Sequence, residues 1–548
     1  MLSFAAFLAS SSGQFRSIDD QNLFYTSHSL TSLLPNVDAC PRPETPDFVY
    51  TRGSHGCTDP SQPQLQGSYQ KGRDGKPVSK YGIGEPIAAA PFFVTGRVVA
   101  SVLGDEHDGS CRGPNALACC RSVTNDPDTF RADCQANAHD MIVQTTTLFT
   151  NSLITALTLV LVIIVSLQLG APLRGAVLIG FAFGFGSFAF AYAKTLGAES
   201  GTAMCLIAAV MLAIEAARTG RTRALVACGV AAGAACLFRS TAAIFLPALG
   251  AWFLVVGYRR RDVRSAVRYG ALFSAGAAAA LAVLVLLNLW RYGSALSFGY
   301  GQTGSNLHGI RARGSLLTGL WGLWLSPGKS IFLYAPFVLL AVAGIVISFR
   351  KLPAEMGMLV ALVAANTVFF ARVRFWHGDW AWGPRYMIIV LPCLAAMCAP
   401  LVGMVPWRRA LAVLAGIGVL FPGALGVLVN FNTFYLQAQR KLGTNFRNTI
   451  YHDWSWQPIG RHISVLKDEL ANLGEPFGLL YLSGKPRLDI WWLDDRWWLS
   501  EQPGRIAAAL LMLLFIGALA VGGAIIFRRA LRSPLPASTA TGPSLAAE

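Results

Sequence analysis

The chain has 548 residues, of which 53% are hydrophobic and only 14% are charged. Water-soluble domains usually carry about 25% charged residues, so a soluble enzyme, a disordered chain and a nucleic-acid binder all fit this composition poorly. Lys and Arg total 45 against 29 Asp and Glu, which gives a formal net charge of +16. If these positive charges cluster on one side of a membrane, they report topology and no acidic partner is needed to explain them.

Apolar segments long enough to cross a bilayer recur along most of the chain. A membrane-spanning helix needs about 20 mostly apolar residues. Credible segments are 146–168, 175–193, 199–216, 224–238, 241–258, 270–290, 330–349, 355–371, 386–405, 410–430 and 506–527. Residues 1–15 are apolar but too short to span, and they lack the charged start and cleavage site of a secretory signal. The sequence therefore predicts an all-α polytopic membrane protein with about 11–12 transmembrane helices.

Basic residues mark one side of the predicted bundle. The short connections on that side hold most of the Arg and Lys outside the long loops, with only Asp262 and Glu355 among them. Cytoplasmic loops carry an excess of Lys and Arg, so this side is predicted to be cytoplasmic, together with both termini. The loops predicted to lie outside are 16–145, 291–329, 372–385 and 431–505.

These assignments divide the chain into six parts. They are a partial first transmembrane helix (1–15), a first extracytoplasmic loop (16–145), a transmembrane core (146–430), an extracytoplasmic C-terminal region (431–505), a last transmembrane helix (506–532) and a disordered cytoplasmic tail (533–548). Six of the 11 cysteines fall in the first outer loop. They favour disulfides in an oxidising compartment, and their spacing leaves the pairing open.

An acidic pair follows the first apolar segment. In SIDDQNLFY at 17–25, Asp19 and Asp20 are adjacent where the chain leaves the membrane. Keeping carboxylates partly desolvated at a membrane face costs free energy, so an acidic pair there suggests a function. A carboxylate held near a sugar hydroxyl can act as the general base for that hydroxyl. An acidic pair in the first turn of a helix is also favoured by the helix dipole, so both interpretations stay open here.

Further short motifs fall on the same outer side as the acidic pair. They are DGKPVSKYGIGEP (74–86), YAKT followed by ES (192–195 and 199–200), LFRST (237–241), LSPGK (325–329) and WAWGPRY (380–386). In this order they resemble the GT-C superfamily of membrane glycosyltransferases, in the bacterial branch with protein O-mannosyltransferases and lipid A aminoarabinose transferases. The resemblance implies a GT-C-like bundle with long extracytoplasmic loops and membrane-plane helices. A short first helix and a Cys-rich insertion at 105–140 depart from that pattern.

The resemblance also implies roles for individual residues. Asp19 matches the position of the catalytic base, and Asp20 is expected to help orient the acceptor. A lipid-phosphate leaving group needs charge stabilisation more than it needs a proton, and Arg and Lys side chains supply it. The candidate ligands of the donor phosphate are Lys80, Arg239, Arg385, Lys194 and Lys329. The alternative for each is a side chain that snorkels to the lipid headgroups.

Aromatic residues are concentrated on the predicted outer side. Trp faces stack on sugar rings, although Trp also forms belts at membrane interfaces. We predict that Trp376, Asp379 and Trp380, together with Tyr81, bind the sugar or the acceptor. Trp491 and Trp492, just before the last helix, are interpreted as interface anchors first and as acceptor-binding residues second.

Together the residues and the resemblance predict an inverting hexosyl- or pentosyltransferase. It would move a sugar from a polyprenyl-phosphate carrier to an extracytoplasmic acceptor, either lipid A, a surface glycan or a protein. Its place would be the bacterial plasma (inner) membrane, with the active site on the extracytoplasmic face. No cofactor and no metal are expected, although a divalent ion could bind the acidic pair. The alternatives are a multi-pass transporter or lipid flippase, and an inactive scaffold that retains the fold.

Overall fold

Helices form nearly all of the regular structure, as expected where lipid offers the backbone no hydrogen-bond partners. The computed structural model describes residues 1–12, 18–31, 69–71, 73, 77–103, 138–260, 262–297, 314–349, 352–378, 380–471, 490–493 and 503–532. Within these ranges the strands are β1 (Tyr69–Lys71) and β2 (Pro77–Ser79), which pair antiparallel with Tyr69 opposite Ser79.

The α-helices are numbered here in chain order. The first half contains α1 (Leu2–Ala9), α2 (Ile18–Thr31), α3 (Gly84–Leu103), α4 (Ala138–Gln168), α5 (Leu173–Gly184), α6 (Ala189–Tyr192), α7 (Ala198–Thr219), α8 (Thr222–Phe238), α9 (Phe245–Arg260) and α10 (Val263–Tyr292). The second half contains α11 (Leu316–Leu325), α12 (Ile331–Tyr334), α13 (Val338–Ser348), α14 (Pro353–Ala371), α15 (Leu391–Ala396), α16 (Val405–Gly418), α17 (Ala424–Leu428), α18 (Phe431–Leu442), α19 (Phe446–His452), α20 (Pro458–Ala471) and α21 (Pro503–Arg532).

Eight helical segments in the described part of the chain are long and apolar enough to cross a membrane. They are Gly84–Leu103, Ile142–Gln168, Ala198–Thr219, Ser240–Arg259, Val263–Tyr292, Pro353–Ala371, Val405–Leu428 and Ile506–Ile525. The all-α, multi-pass architecture predicted from the sequence is therefore confirmed. The first of these segments, α3, lies in the region 16–145, for which the sequence predicted an extracytoplasmic loop with an acidic motif, a juxtamembrane helix and a Cys-rich insertion.

Four predicted spans are built from shorter or interrupted helices. The span predicted at 330–349 is divided into α12 and α13 around Pro336, and the one at 386–405 begins as a 3₁₀ helix (Arg385–Val390) before the short α15. The span at 175–193 is divided into α5 and α6, and the one at 224–238 is the 17-residue α8. Proline interrupts the hydrogen-bond ladder of a helix, and non-helical backbone at membrane depth is tolerated only where protein or a cavity surrounds it.

Residues 1–12, the described part of the segment 1–15, pack against other elements of the protein. Gly523 of α21 lies so close to α1 that a Cβ there would come within 2.5 Å of the Leu2 nitrogen. The indole N–H groups of Trp491 and Trp492 donate to the carbonyls of Leu8 and Ala9, at 3.0 and 2.7 Å. They satisfy carbonyls that the last turn of a helix leaves without partners. Trp491 is fully buried, so the described contacts give this pair a packing role at the end of α1.

Candidate functional site

A buried carboxylate at the start of α7 gathers two arginines from distant parts of the chain. Glu199 is only 1% exposed. Arg385 Nε donates to Glu199 Oε1 at 2.8 Å, and Arg385 Nη2 donates to Oε2 at 3.4 Å. Arg239 donates to the same Oε1 through Nη1. The sequence predicted that Arg239 and Arg385 serve one site, and the fold places both on the same carboxylate.

The local backbone explains how these arginines reach Glu199. Arg239 ends α8 in an extended conformation, with φ −148° and ψ 113°, before a 3₁₀ helix begins at Ser240. Its guanidinium lies 5.0 Å from the ring centre of Tyr386 and 5.5 Å from that of Phe370. Such cation–π contacts fix the plane of a guanidinium. The two guanidiniums thus share one buried carboxylate, and guanidinium groups are well suited to bind an anionic group such as a phosphate.

Asp20 lies close to this trio on another element. Its side chain is 3% exposed, and its Oδ1 accepts a hydrogen bond from the Leu196 N–H at 3.1 Å. Leu196 belongs to the turn that precedes Glu199, so Asp20 ties α2 to the beginning of α7. Asp19 lies in the first turn of α2, and its side chain is outside the described residues.

The turn before α7 is itself fixed by α4. Asn151 Nδ2 donates to the carbonyls of Thr195 and Gly197, at 2.7 and 3.1 Å. Ser152 donates to the carbonyl of Ala193 at 3.0 Å. These bonds satisfy backbone acceptors that would otherwise be buried without donors. The acidic site is therefore built on a rigid turn.

Lys80 stands on a loop whose backbone is held from the end of α10. Arg291, which is 6% exposed, donates through Nη2 to the Ser79 carbonyl at 2.6 Å and through Nη1 to the Tyr81 carbonyl at 3.1 Å. The Tyr292 hydroxyl donates to the Ser79 carbonyl at 2.7 Å. Lys80 itself is half-buried, and its Nζ lies 5.1 Å from the Tyr81 ring centre. The two residues flanking Lys80 are thus fixed, and its side chain extends from a clamped backbone.

The same loop is pressed against the end of α8, next to Arg239. A Cβ on Gly82 would lie 2.2 Å from the Phe238 carbonyl oxygen, so only glycine fits there. A Cβ on Gly84 or on Gly201 of α7 would meet the Phe238 ring at 2.8 or 2.1 Å. Phe238 is thereby held between α3 and α7. This close approach brings the Lys80 loop, Arg239 and Glu199 into one neighbourhood.

Glu85, in the first turn of α3, completes the acidic side of this neighbourhood. It is fully buried, and its charge interacts with those of Glu199 and Asp20. Within the part of the chain that the structure describes, neither of its carboxylate oxygens has a hydrogen-bond partner.

The two other predicted phosphate ligands lie in the interior, bonded to backbone carbonyls. Lys194 and Lys329 are both fully buried. Lys194 Nζ donates to the Val427 carbonyl at 2.6 Å, and Lys329 Nζ donates to the Ala381 carbonyl at 2.6 Å. These bonds give both lysines a role in joining segments, and phosphate binding by either remains a prediction.

Lys329 is the centre of what we call the aromatic cluster, formed with Trp376, His377, Trp380, Tyr435 and Tyr451. Its ammonium lies 5.4 Å from the Tyr451 ring centre and 5.6 Å from that of Tyr435. Trp380 stacks on Tyr435 with ring centres 5.8 Å apart. Trp376 and Trp380 therefore pack in one cluster, whereas Asp379 lies outside the described residues. Sugar binding by this group stays a prediction.

His377 is a neutral member of the aromatic cluster. Its ring stacks on Tyr451 at 4.5 Å. Burial, together with the positive charge of Lys329, lowers the pKa of His377 from 6.5 to about 3. The imidazole is therefore uncharged at neutral pH.

Several residues of the site were not assigned by the sequence. Glu85 and Glu199 stood inside quoted motifs without a role, and Arg291 and Tyr292 were not singled out. An ionisable residue at the edge of an apolar segment is the signal that could have found Glu199 and Arg291. Among the described residues, no group of three His, Cys, Asp or Glu side chains is arranged to hold a metal ion.

The fold and the buried charges define a multi-pass membrane protein, and its structure is similar to those of GT-C membrane glycosyltransferases. Against ArnT from Cupriavidus metallidurans bound to undecaprenyl phosphate, the TM-score is 0.44 with 12% identity, over 96% of this chain and 76% of that one. Against the apo oligosaccharyltransferase from Archaeoglobus fulgidus, the TM-score is 0.43 with 11% identity, over 79% of this chain and 55% of that one.

A further similar structure is archaeal AglB from Archaeoglobus fulgidus, in complex with an inhibitory peptide and a dolichol-phosphate. There the TM-score is 0.43 with 12% identity, over 81% of this chain and 58% of that one. The chain thus spans less than two thirds of the archaeal enzymes. Profiles of known protein families and the sequences of curated proteins give no match. At these scores the likeness does not establish a shared activity, so the case for function rests on the residues of the site.

Proposed function

We propose that this protein is a membrane glycosyltransferase that takes its sugar from a polyprenyl-phosphate carrier. The observation that carries the proposal is the buried Glu199, which holds Arg239 and Arg385 side by side next to Asp20. A guanidinium pair anchored on one carboxylate is suited to a phosphate group, because Arg presents a planar fork of N–H donors. The Lys80 loop, packed against Arg239, supplies a further cation.

The proposed reaction is a single inverting displacement at the anomeric carbon. The acceptor hydroxyl oxygen attacks that carbon as the bond to the phosphate oxygen breaks, and the phosphate leaves with the bonding electrons. Asp19 accepts the hydroxyl proton as general base, while Asp20 orients the acceptor. The charge that develops on the leaving phosphate is stabilised by Arg239, Arg385 and Lys80 in a partly buried site, where electrostatic interactions are strong.

The placement of the reaction follows from the predicted topology. We propose that the site faces the extracytoplasmic side of a bacterial plasma (inner) membrane, with lipid A, a surface glycan or a protein as acceptor. No metal and no other cofactor is needed, because Arg and Lys neutralise the leaving group. In the described spans, the charged residues cluster near helix ends. This placement favours chemistry at the membrane interface over transport of a solute through the bilayer.

The test is transfer by membranes that contain the parent chain or Asp19→Asn. Undecaprenyl and dolichyl phosphates carrying a radiolabelled sugar are supplied with a cell-envelope extract, and labelled acceptor and released lipid phosphate are measured. Loss of a general base lowers the rate by about 10²–10⁴-fold, so the variant is expected to lose at least 100-fold. Arg408→Gln, on the predicted cytoplasmic side, is the control. Equal transfer by Asp19→Asn would show that the base is assigned wrongly.

A further inference from the structure

Glu85 differs from Asp20 and Glu199, the other site carboxylates whose side chains the structure describes, in the hydrogen bonds that it makes. Its side chain is fully buried, yet both oxygens lack a partner within the described part of the chain. Glu199, equally buried, accepts hydrogen bonds from two arginines, and Asp20 accepts one from a backbone N–H. A buried carboxyl group without donors is unfavourable unless a ligand or water supplies them.

The position of Glu85 is fixed by packing and not by its own polar contacts. Gly84, the preceding residue, is in such close contact with Phe238 that a Cβ there would overlap the ring. Phe238 in turn lies against Gly201, two residues beyond Glu199. Glu85 is therefore held beside the Arg239–Glu199–Arg385 trio whether or not its carboxyl group is satisfied.

The electrostatic surroundings of Glu85 indicate what kind of ligand it suits. Its charge interacts unfavourably with those of Glu199 and Asp20, so an anionic group is disfavoured next to it. A carboxyl group accepts hydrogen bonds at both oxygens and, when protonated, also donates one. Neighbouring hydroxyl groups of a sugar are donors of matching chemistry. The phosphate of the donor belongs with the arginines, and the sugar attached to it would extend toward the acidic side.

We propose that Glu85 binds hydroxyl groups of the sugar carried by the lipid phosphate and so determines which sugar is accepted. The inference rests on the proposed glycosyltransferase function and adds a specificity-determining residue to it. A site built to hydrogen-bond a hydroxyl strongly rejects an analogue that lacks it, because a buried polar group is then left unpaired. The bound sugar supplies the donors that Glu85 lacks.

The experiment compares carriers with and without a sugar. The parent chain, Glu85→Met, Glu85→Gln and the control Glu355→Gln are reconstituted in lipid nanodiscs. Glu355 is also an acidic residue in the first turn of a helix, α14, but lies on the predicted cytoplasmic side. Binding of undecaprenyl phosphate is measured, and then binding of a panel of undecaprenyl-phosphate hexoses, pentoses and their deoxy analogues.

We expect the parent to bind at least one sugar-loaded carrier about ten-fold more tightly than bare undecaprenyl phosphate. Glu85→Met is expected to lose this preference, to bind the bare carrier as the parent does, and to keep or raise the melting temperature, since it removes an unsatisfied buried group. Glu85→Gln should fall between the two, and Glu355→Gln should match the parent.

Two results would overturn the inference alone. One is a parent that binds the bare carrier but gains nothing from any sugar, and the other is Glu85→Met retaining the full preference. Deoxy sugars test the inference without any variant. If the parent binds every deoxy analogue as tightly as the complete sugar, that result also contradicts the inference. A parent that fails to bind bare undecaprenyl phosphate would instead contradict the proposed function.

Discussion

Two buried regions of this molecule contain positively charged side chains. The two regions provide these side chains with different partners. In the first, Arg239 and Arg385 share the carboxylate of Glu199. In the aromatic cluster, the Lys329 ammonium donates to a backbone carbonyl and lies against the rings of Tyr435 and Tyr451. Both regions bury a positive charge near other ionisable groups, but the arginines contact a carboxylate, whereas Lys329 contacts a carbonyl and aromatic rings. From this difference we predict that the arginine trio serves the proposed ligand and that Lys329 serves the fold.

The largest expected effect comes from removing the carboxylate that both arginines share. Glu199→Gln removes the negative charge that the two partly buried guanidiniums share, and breaking a buried ion pair destabilises a protein by about 3–5 kcal/mol. We expect transfer to fall at least 100-fold. Transfer rate and thermal unfolding in detergent are measured together.

The matched variant in the other region is Lys329→Met. It removes one hydrogen bond to the Ala381 carbonyl, which keeps a bond from the Tyr435 hydroxyl. We expect a loss of about 1–3 kcal/mol of stability with transfer of the folded fraction within a few-fold of the parent. Equal loss of transfer by both folded variants would remove the distinction between the two regions.

A smaller effect is expected from the residue that positions Lys80. Arg291→Lys retains the charge but cannot bridge the carbonyls of Ser79 and Tyr81, because an ammonium lacks the planar fork of a guanidinium. We expect KM for the lipid-phosphate donor to rise about ten-fold, with kcat and the acceptor KM within about three-fold; ten-fold corresponds to about 1.4 kcal/mol. Steady-state kinetics with each substrate varied in turn measure this. A variant that melts earlier but keeps the parental donor KM would show that Arg291 is structural only.

The smallest effect concerns the dependence of stability on pH in the aromatic cluster. Burial lowers the pKa of His377 to about 3, below the unfolded value of 6.5, so the unfolded chain binds the proton more readily. The stability present above pH 6.5 is therefore lost as the pH falls from 6.5 toward 3, by at most about 1.4 kcal/mol per pH unit.

Chemical unfolding between pH 7 and pH 4 measures this slope. His377→Gln is expected to flatten it, whereas His452→Gln, which removes a more exposed imidazole, should leave most of it. An unchanged slope in His377→Gln would show that its proton is not linked to unfolding.

The sequence was informative where a charge interrupts an apolar run. Arg239 and Arg385 were found because each lies at the edge of a predicted span, and the acidic pair was found because it follows the first apolar segment. What joins them could not be predicted, because Glu199 meets Arg385 across 186 positions of the chain. No local periodicity encodes such a contact. Arg291 was missed for the same reason, since its partners Ser79 and Tyr81 lie more than 200 positions away.

The lengths of the helices were the other feature that could not be predicted from the sequence. Composition identified apolar segments, but it could not show that backbone breaks near Pro336 and at Arg385 divide them. Trp491 and Trp492 illustrate a related limit. Their position before a membrane helix suggested an interfacial anchor, yet the fold uses their indole N–H groups to satisfy the end of α1. A pattern reports the polarity of a side chain, and only the fold reports its partner.

The contact of Phe238 with Gly84 and Gly201 has a consequence for how this chain can evolve. The ring occupies the volume that a side chain on either glycine would need, so the three positions share one fixed space. A methyl group gained at Gly201 requires a smaller ring at position 238, and one gained at Gly84 would also meet the Phe238 backbone nitrogen at 2.7 Å. These residues lie 37 or more positions apart along the chain, yet substitutions among them are expected to be strongly epistatic. Because these three positions change together, the geometry of the charged groups around them is expected to be retained as a whole during evolution.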